Sequence, residues 1–344
     1  MIKQLINRFK SRRTMAHLHE RCAGEYAFVG MGQHSLTNLY PVLDYMRVPL
    51  KYICVTNAEK ARLIGLKYAP TVATTSLADV LADGDVKGVM VAACPSAHFA
   101  LASQVIESGK ALFIEKPPCT TSNQLERLIE LQERRGVVVS VGLQKRYAPS
   151  VGILKKRLAK DKALSYTMRY VTGAYPEGDA LTDLYIHALD LVTYLFGSAT
   201  VIACQPAGIN NYMVMLKHGD TIGTLELSTA YSWSTANECL TVCTSKGVYE
   251  LLQMEQLTFM RRQPVVCGVP LEKVLHTNPT VEYLYSRNNF VPTVVNNQIY
   301  SQGFYGECKA WVDMVESRSS VNLSTLQSLR DTFQLLDELK TATL

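Results

Sequence analysis

Four groups of residues in this chain have types and spacings that suit chemistry. Asp183-x-x-x-His187-x-x-Asp190 sets a carboxylate and an imidazole four residues apart. On a helix that spacing puts Asp183 and His187 on one face, one turn apart, with Asp190 close to the same face. Histidine suits proton transfer near neutrality because its unperturbed pKa is about 6.5, and a neighbouring carboxylate can orient the ring and stabilise its protonated form. The plain alternative is an ordinary polar cluster at a helix start. Glu115-Lys116-Pro117-Pro118 follows the short apolar run Ala111–Ile114. A lysine at such a strand end can enter a crevice, hydrogen-bond a substrate hydroxyl and favour a developing alkoxide, with Pro117 stiffening its turn. The alternative is a solvated surface lysine.

The third group is Gly30-x-Gly32-x-x-Ser35, directly after the apolar stretch Tyr26–Val29. The first glycine permits a tight turn and the second lets backbone approach a pyrophosphate, which free N–H groups at a helix N-terminus then stabilise. Ser35 stands where a glycine or alanine usually gives close helix–strand packing, and it is small enough to serve. The fourth group is Val55-Thr56-Asn57, with Lys60 and Arg62 just beyond. A second strand ending in Asp or Glu would accept from the ribose 2′-OH of NAD. No carboxylate stands at this tip, and Glu59 lies past it. Hydroxyl, amide and cationic groups suit a 2′-phosphate, so NADP is preferred over NAD. Asn57 also has the chemistry of a cap for a helix starting at Ala58, and both roles can hold.

These groups need elements to position them. Strand-like stretches at Tyr26–Val29, Tyr52–Val55, Val86–Ala93, Ala111–Ile114 and Val137–Val141 alternate with helical stretches beginning near Ser35 and covering Ala58–Tyr68, Ala97–Ser108 and Asn123–Arg135, the last capped by Ser122 and closed by Gly136. Such alternation implies parallel βαβ units, whose ligand lies at the carboxyl ends of the strands. After about residue 150 the pattern changes. Helices are expected over Gly152–Lys160 and roughly Thr182–Phe196. Strands follow directly on one another at Tyr212–Leu216, Thr221–Ser228, Cys239–Thr244 and Gly247–Leu251, and helices return near Gly306–Val315 and Leu323–Thr341. That is the pattern of an α+β domain with an antiparallel sheet. The expected organisation is a basic N-terminal helix (1–22), a dinucleotide-binding domain (23–149) and an α+β domain (150–344).

With 344 residues, 47% apolar and 19% charged, the composition is globular and the length suits two domains. The net charge of +5 is all contributed by residues 1–21, where Lys3, Arg8, Lys10, Arg12, Arg13 and Arg21 face Glu20 alone. The body is neutral, so no nucleic-acid groove is expected. Within the basic segment Ile2, Leu5, Ile6 and Phe9 recur at helical spacing. That helix suits docking on its own or a sister subunit; a membrane-surface anchor and an organelle presequence are the alternatives. The longest uncharged run, Leu191–Leu216, is broken by Gly197, Pro206 and Gly208, which argues against a transmembrane helix. No apolar h-region of a secretory signal is seen at the start, and nine scattered cysteines without a CxxC pair suit neither a disulfide framework nor zinc. The expectation is a reducing, cytoplasmic setting with mostly buried thiols and no metal.

Taken together and in this order, the four groups resemble the glucose–fructose oxidoreductase/inositol dehydrogenase (Gfo/Idh/MocA) family of NAD(P)-dependent oxidoreductases. Gly109-Lys110 through Phe113-Ile114-Glu115-Lys116-Pro117 is similar to the stretch leading into the family's Glu-Lys-Pro motif. Pro95-x-x-His98 is similar to the segment after its fourth strand, and Val141 to Pro149 to its domain-joining segment. The resemblance implies an α/β fold: an N-terminal Rossmann domain, then an α+β domain with an open, mainly antiparallel sheet that commonly forms homodimers or homotetramers. It implies cofactor contacts at Gly30, Gly32, Gln33, His34 and Ser35, at Thr56, Asn57 and Lys60, at Cys94, Pro95 and His98, and at Glu115, Lys116 and Gln144. Lys116 would position a sugar-like substrate, His187 would exchange its proton, and Asp183 would partner His187 and touch substrate. Asp190 would be structural.

The chain also departs from the pattern. Cys94 stands where threonine or asparagine is common, and Tyr185 where glycine is frequent, so that Tyr185 narrows the pocket or contacts substrate. Cys119 after the Glu-Lys-Pro motif is either a reactive thiol or a buried spectator. Lys145 and Arg146 would reach a substrate phosphate or form a structural salt bridge. The expected activity is hydride transfer between a nicotinamide and a secondary alcohol or ketone of a sugar, nucleotide sugar or cyclitol. A non-catalytic ligand sensor on the same fold is the alternative, and reduction of a C=N or tetrapyrrole substrate a third; the retained lysine and histidine favour the enzyme.

Overall fold

The computed structural model describes residues 2–19, 21–175, 178–275, 278 and 280–342. Helix α1 (Ile2–His19) precedes a six-stranded sheet of β1 (Glu25–Val29), β2 (Leu50–Cys54), β3 (Val72–Thr74), β4 (Val86–Val91), β5 (Ala111–Glu115) and β6 (Val139–Gly142). The strand order is β3-β2-β1-β4-β5-β6 and all pairings are parallel. Four of the five residues of β1 and all of β5 are buried, as strands covered on both faces must be. The order reverses between β1 and β4, and a doubly wound sheet opens its ligand crevice at such a point.

Between the strands run α2 (Tyr40–Tyr45, entered through a π-helical turn over Ser35–Leu39), α3 (Ala58–Lys67), α4 (Leu77–Ala82), α5 (Pro95–Glu107) and α6 (Ser122–Arg135). Asn57 caps α3 by accepting from the Lys60 amide at 2.8 Å. Thr121, rather than Ser122, caps α6, accepting from the Gln124 amide at 3.2 Å; the Ser122 hydroxyl instead donates to Asp337. Gly136, with φ of 65°, ends α6 in the left-handed conformation that a side chain would oppose.

A 3-10 turn over Gln144–Tyr147 leads into α7 (Pro149–Leu158) and then β7 (Ala163–Val171). A π-helical turn over Ala180–Leu184 precedes α8 (Ile186–Phe196). The strands of the second sheet that follow are β8 (Thr200–Pro206), β9 (Tyr212–His218), β10 (Thr221–Ser228), β11 (Asn237–Thr244), β12 (Gly247–Leu252), β13 (Gln256–Arg261) and β14 (Val281–Ser286). They form with β7 an eight-stranded sheet in the order β14-β13-β12-β11-β7-β10-β9-β8, antiparallel except where β7 meets β10. Helix α8 buries its apolar side against this sheet, with Phe196 stacked on Tyr166 at 4.4 Å. The other face leaves Leu164, Met213 and Met215 exposed.

The chain then returns to the first domain. Helix α9 (Phe304–Val315) buries Cys308, Trp311 and Val312 against Tyr26 and Phe113 of the parallel sheet. Ser324 accepts from the Val141 amide at 2.9 Å, and α10 (Arg330–Ala342) packs between α6 and α8. The partition into 23–149 and 150–344 therefore divides one core: residues 304–315 lie after residue 150 in sequence and inside the first domain in space. All nine cysteines are free thiols, but only Cys54, Cys119 and Cys308 are buried, fewer than expected. Among the described residues no helix is long and apolar enough to cross a membrane.

Candidate functional site

The carboxyl ends of β1, β2, β4 and β5 and the start of α8 enclose a cavity of about 740 Å³. Gly30, Gly32, Gln33, His34, Ser35, Thr56, Lys60, Cys94, His98, Glu115, Lys116 and His187 all line it. A larger open groove, of about 890 Å³, lies between α6, β8 and α10 and holds none of these residues. We place the site in the smaller cavity because the groups with chemistry converge there.

The glycine turn is shaped by close approach. Gly30 has φ of +93°, and a Cβ there would stand 2.2 Å from the Ala92 carbonyl. At Gly32 a Cβ would meet nothing within 4 Å, so backbone faces open space. Ser35 is buried at the start of the helix, where its small side chain fits. Thr56 faces the cavity at the tip of β2, while the Asn57 side chain is engaged as the α3 cap and is not part of the lining. The Lys60 ammonium donates to the Met31 carbonyl, which places a cation beside the turn.

His98 is 1% exposed, and its two ring nitrogens face two backbone carbonyls, Pro117 at 2.7 Å and Ala93 at 3.0 Å. Burial lowers its pKa. It is a clasp that joins the loop after β4 to the loop after β5. Pro95 opens α5 and does not line the cavity. The Glu115 carboxylate is buried against Gly142; Oε1 accepts from His34 Nε2 at 3.1 Å and Oε2 from the Lys116 amide at 3.2 Å. Asn38 donates to the other His34 nitrogen at 3.0 Å, which leaves the proton on Nε2 for Glu115.

Lys116 directly follows β5 and precedes a cis Lys116–Pro117 bond, and its ammonium donates to the Asp183 backbone carbonyl at 2.6 Å. Burial lowers its pKa, Glu115 and Asp183 oppose that, and Lys145 adds to it. His187 lies opposite on α8. Its pKa is held well below the usual value by burial and then by Lys116, Lys145 and His34, so it is a neutral base. Among the described residues neither of its ring nitrogens has a hydrogen-bond partner.

Two expectations are corrected here. Asp183 does not pair with His187. The helix expected over Thr182–Phe196 is interrupted by the π-helical turn, whose wider winding rotates Asp183 off the α8 face. Its carboxylate accepts instead from the Asp179 amide at 3.2 Å, and burial raises its pKa. Tyr185 neither narrows the cavity nor reaches it. It sits at the junction of the two helical segments, is fully buried, and donates to the Asn210 carbonyl between the rings of Tyr170 and Tyr212. Gln144 is also outside the lining, its backbone carbonyl pressed against Gly303.

Lys145 and Arg146 are structural in this arrangement. Lys145 pairs with Glu238 and lies 4.8 Å from the Tyr170 ring centre. Arg146 forms a buried bidentate pair with Asp190, at 2.5 and 2.9 Å. Cys119 is fully buried, and burial pushes its thiol up to about 12. Sequence reasoning missed Thr75, Leu77 and Leu101, which also line the cavity. Thr75 stands after β3 as Thr56 stands after β2, so recognising that three-residue strand would have found it.

A parallel sheet in this order, with a glycine turn at its switch point and a cavity beyond, defines a dinucleotide-binding Rossmann domain. The comparisons agree. The family model GFO_IDH_MocA, described as an oxidoreductase family with an NAD-binding Rossmann fold, matches residues 25–143. The inositol 2-dehydrogenase of Gluconacetobacter diazotrophicus is 30% identical over 156 residues, which is 43% of this chain and 46% of that enzyme. The putative oxidoreductase YceM of Salmonella typhimurium is 22% identical over 71% of this chain and 74% of its own length. Among solved structures, a dehydrogenase from Chromobacterium violaceum superposes with a TM-score of 0.76 at 18% identity, covering 94% of this chain and 96% of that one. The 3-ketoreductase KijD10 from Actinomadura kijaniata, in complex with TDP-benzene and NADP, superposes at 0.73 with 14% identity over 92% and 97%.

Proposed function

We propose that the protein is a nicotinamide-dependent oxidoreductase acting on a secondary alcohol or ketone of a sugar, nucleotide sugar or cyclitol. The observation that carries this reading is the meeting of Lys116 and His187 in one cavity with the glycine turn. The residues fit a dinucleotide: the turn leaves open space at Gly32, and the polar groups of Thr56 and Lys60 stand at the β2 end. Gly30, Gly32 and the following helix start would hold the pyrophosphate. Thr56 and Lys60, with no carboxylate at the strand tip, favour NADP over NAD. The bound nicotinamide supplies or accepts the hydride. His187, neutral and with a free ring nitrogen, takes the substrate's hydroxyl proton in oxidation and returns it in reduction. Lys116 donates to the same oxygen and stabilises its partial negative charge. The Asp183 carbonyl holds the ammonium in place, and its carboxylate serves the loop before α8.

The substrate class is supported by names among the relatives: inositol 2-dehydrogenases, a 3-ketoreductase and a UDP-N-acetylglucosamine 3-dehydrogenase. The exposed Leu164, Met213 and Met215 face suits a homodimer or homotetramer built on the second sheet. The test is titration with NADPH and NADH by fluorescence, then turnover over a panel of inositols and nucleotide sugars. Tighter NADPH binding, substrate-dependent oxidation and a His187→Ala variant slowed by about 10²–10⁴ with unchanged cofactor affinity are expected. Unchanged turnover in that variant refutes the assignment of His187.

A further inference from the structure

Helix α1 turns an apolar stripe outward. Ile2, Leu5, Ile6 and Phe9 fall on one face at helical spacing and are 75, 60, 47 and 62% exposed. Every side chain from residue 2 to residue 12 is exposed. The amphipathic helices α6 and α10 do the reverse: Leu125, Leu128 and Ile129 of the one and Phe333, Leu336 and Leu339 of the other are buried. A helix advances about 100° per residue, so Lys3 and Lys10 border the α1 stripe on one side and Arg8 and Arg12 on the other. Gln4, Asn7 and Ser11 lie opposite it.

The charge of the molecule is concentrated on the same helix. Lys3, Arg8, Lys10, Arg12 and Arg13, with no acid among them, equal the net charge of the whole chain, +5. The segment that follows is fixed to the body. The Glu316 carboxylate accepts from the Ala23 and Gly24 amides at 2.8 and 3.2 Å, and the Arg21 carbonyl accepts from Arg318 at 3.4 Å. From there the chain enters the amino end of β1, whereas the cofactor cavity lies at the carboxyl ends of the strands.

We propose that α1 is a membrane-surface helix, which lays its apolar stripe into the headgroup region of a bilayer rich in anionic phospholipid. Such a surface matches the helix on both counts: the stripe enters the acyl boundary, and the bordering Lys and Arg stems carry their charges back to the lipid phosphates. A second copy of the chain is a poorer match. Outside α1 the chain has no net charge, and the carboxylates along the open groove between α6, β8 and α10 are already engaged. Glu126 accepts from Arg330 at 2.8 Å, Asp337 from the Ser122 hydroxyl, and Glu338 from the Val201 amide at 3.0 Å. A nucleic acid would meet the cations and leave the stripe in water. Because α1 joins the amino end of β1, attachment through it leaves the cavity at the opposite edge of the sheet open to cofactor and substrate.

The inference is independent of the chemistry proposed for the cavity. Flotation of the full-length protein is measured with vesicles of phosphatidylcholine alone and of phosphatidylcholine and phosphatidylglycerol in equal parts. The protein floats with the mixed vesicles and not with phosphatidylcholine. Raising salt from about 0.15 to 1 M, which shortens the screening length from about 8 to 3 Å, releases it. Each cation at an anionic surface strengthens binding about fivefold, so Arg8→Gln/Arg12→Gln binds about 25-fold more weakly. Leu5→Gln/Ile6→Gln, which empties the centre of the stripe, binds at least about tenfold more weakly. Both variants change exposed side chains and keep the parent's unfolding temperature and dinucleotide affinity. If no form binds dinucleotide, the cavity reading fails, and the unfolding temperatures still certify the flotation result. A parent that ignores the mixed vesicles, equal binding to both vesicle types, or either variant binding like the parent overturns the inference. So does light scattering in which the parent is an oligomer that Leu5→Gln/Ile6→Gln dissociates while neither binds vesicles, since the stripe is then a contact between copies.

Discussion

Substituting Asp190 by alanine isolates the pair that fixes α8. Arg146 and Asp190 are 2% and 3% exposed, and the guanidinium spends two of its hydrogen bonds on the Asp190 carboxylate. Its others go to the Leu323 and Ser328 carbonyls and the Ser328 hydroxyl, at 2.7 to 3.2 Å. Alanine leaves a buried cation without its counter-charge, a loss that typically costs about 3–5 kcal/mol. The surviving acceptors keep the cost at the lower end, about 3 kcal/mol. For a protein of this size that is a fall in unfolding temperature of about 4 °C. Asparagine keeps the shape and one acceptor and should cost about half as much. His187 lies three residues before Asp190 on the same helix, so turnover falls in both variants while dinucleotide affinity, set by the opposite wall, holds. Differential scanning fluorimetry and steady-state rates measure both. An alanine variant that unfolds with the parent, or an asparagine variant that does, refutes the claim that this pair holds the helix by charge.

The remaining predictions concern the cavity itself. The acid limb of turnover should lie well below pH 6.5, because His187 is held down by burial and by Lys116, Lys145 and His34. Lys145→Met should move that limb upward, since it removes a cation and leaves Glu238 unpaired; a pH–rate profile that does not move counts against His187 as the base. Gly30→Ala should destabilise the protein by about 1–2 kcal/mol from its positive φ, with the close contact to Ala92 adding to the loss. Gly32→Ala, with open space at its Cβ, should unfold at the parent's temperature yet bind dinucleotide more weakly. Thr56→Asp should shift preference from NADPH toward NADH in a paired titration, and an unchanged ratio would remove Thr56 from cofactor selection.

Much of the first domain was legible because buried parallel strands announce themselves as uninterrupted apolar runs, as in Val89-Met90-Val91 and Leu112-Phe113-Ile114. β7 was not, because it alternates buried Tyr166 and Met168 with exposed Ser165 and Thr167 and carries Arg169, a weak contrast between its faces. β8 is a mostly exposed edge strand, and β14 follows a long irregular stretch. Spacing located His187 but misjudged Asp183, since an i, i+4 argument assumes an unbroken α-helix and one π-helical turn defeats it. Tyr185 failed for the same reason: its face is set by the junction. Glu307 was invisible because a glutamate in an amphipathic helix reads as solvent-facing, and only the docking of α9 on the parallel sheet shows that it is not.

That docking has a consequence for how the chain is made. β1 to β6 leave the ribosome first, yet the face formed by Tyr26, Phe113 and Met90 is covered only when Trp311 and Val312 arrive. At about 5–20 residues per second, the interval from the joining turn to α10 is roughly 10–40 s. For that time the nascent first domain presents an apolar face where its own last helices will sit. Synthesis that stops before α9 leaves a product with that face uncovered, open to chaperones and to aggregation, and a first domain expressed alone as residues 23–149 should share the defect.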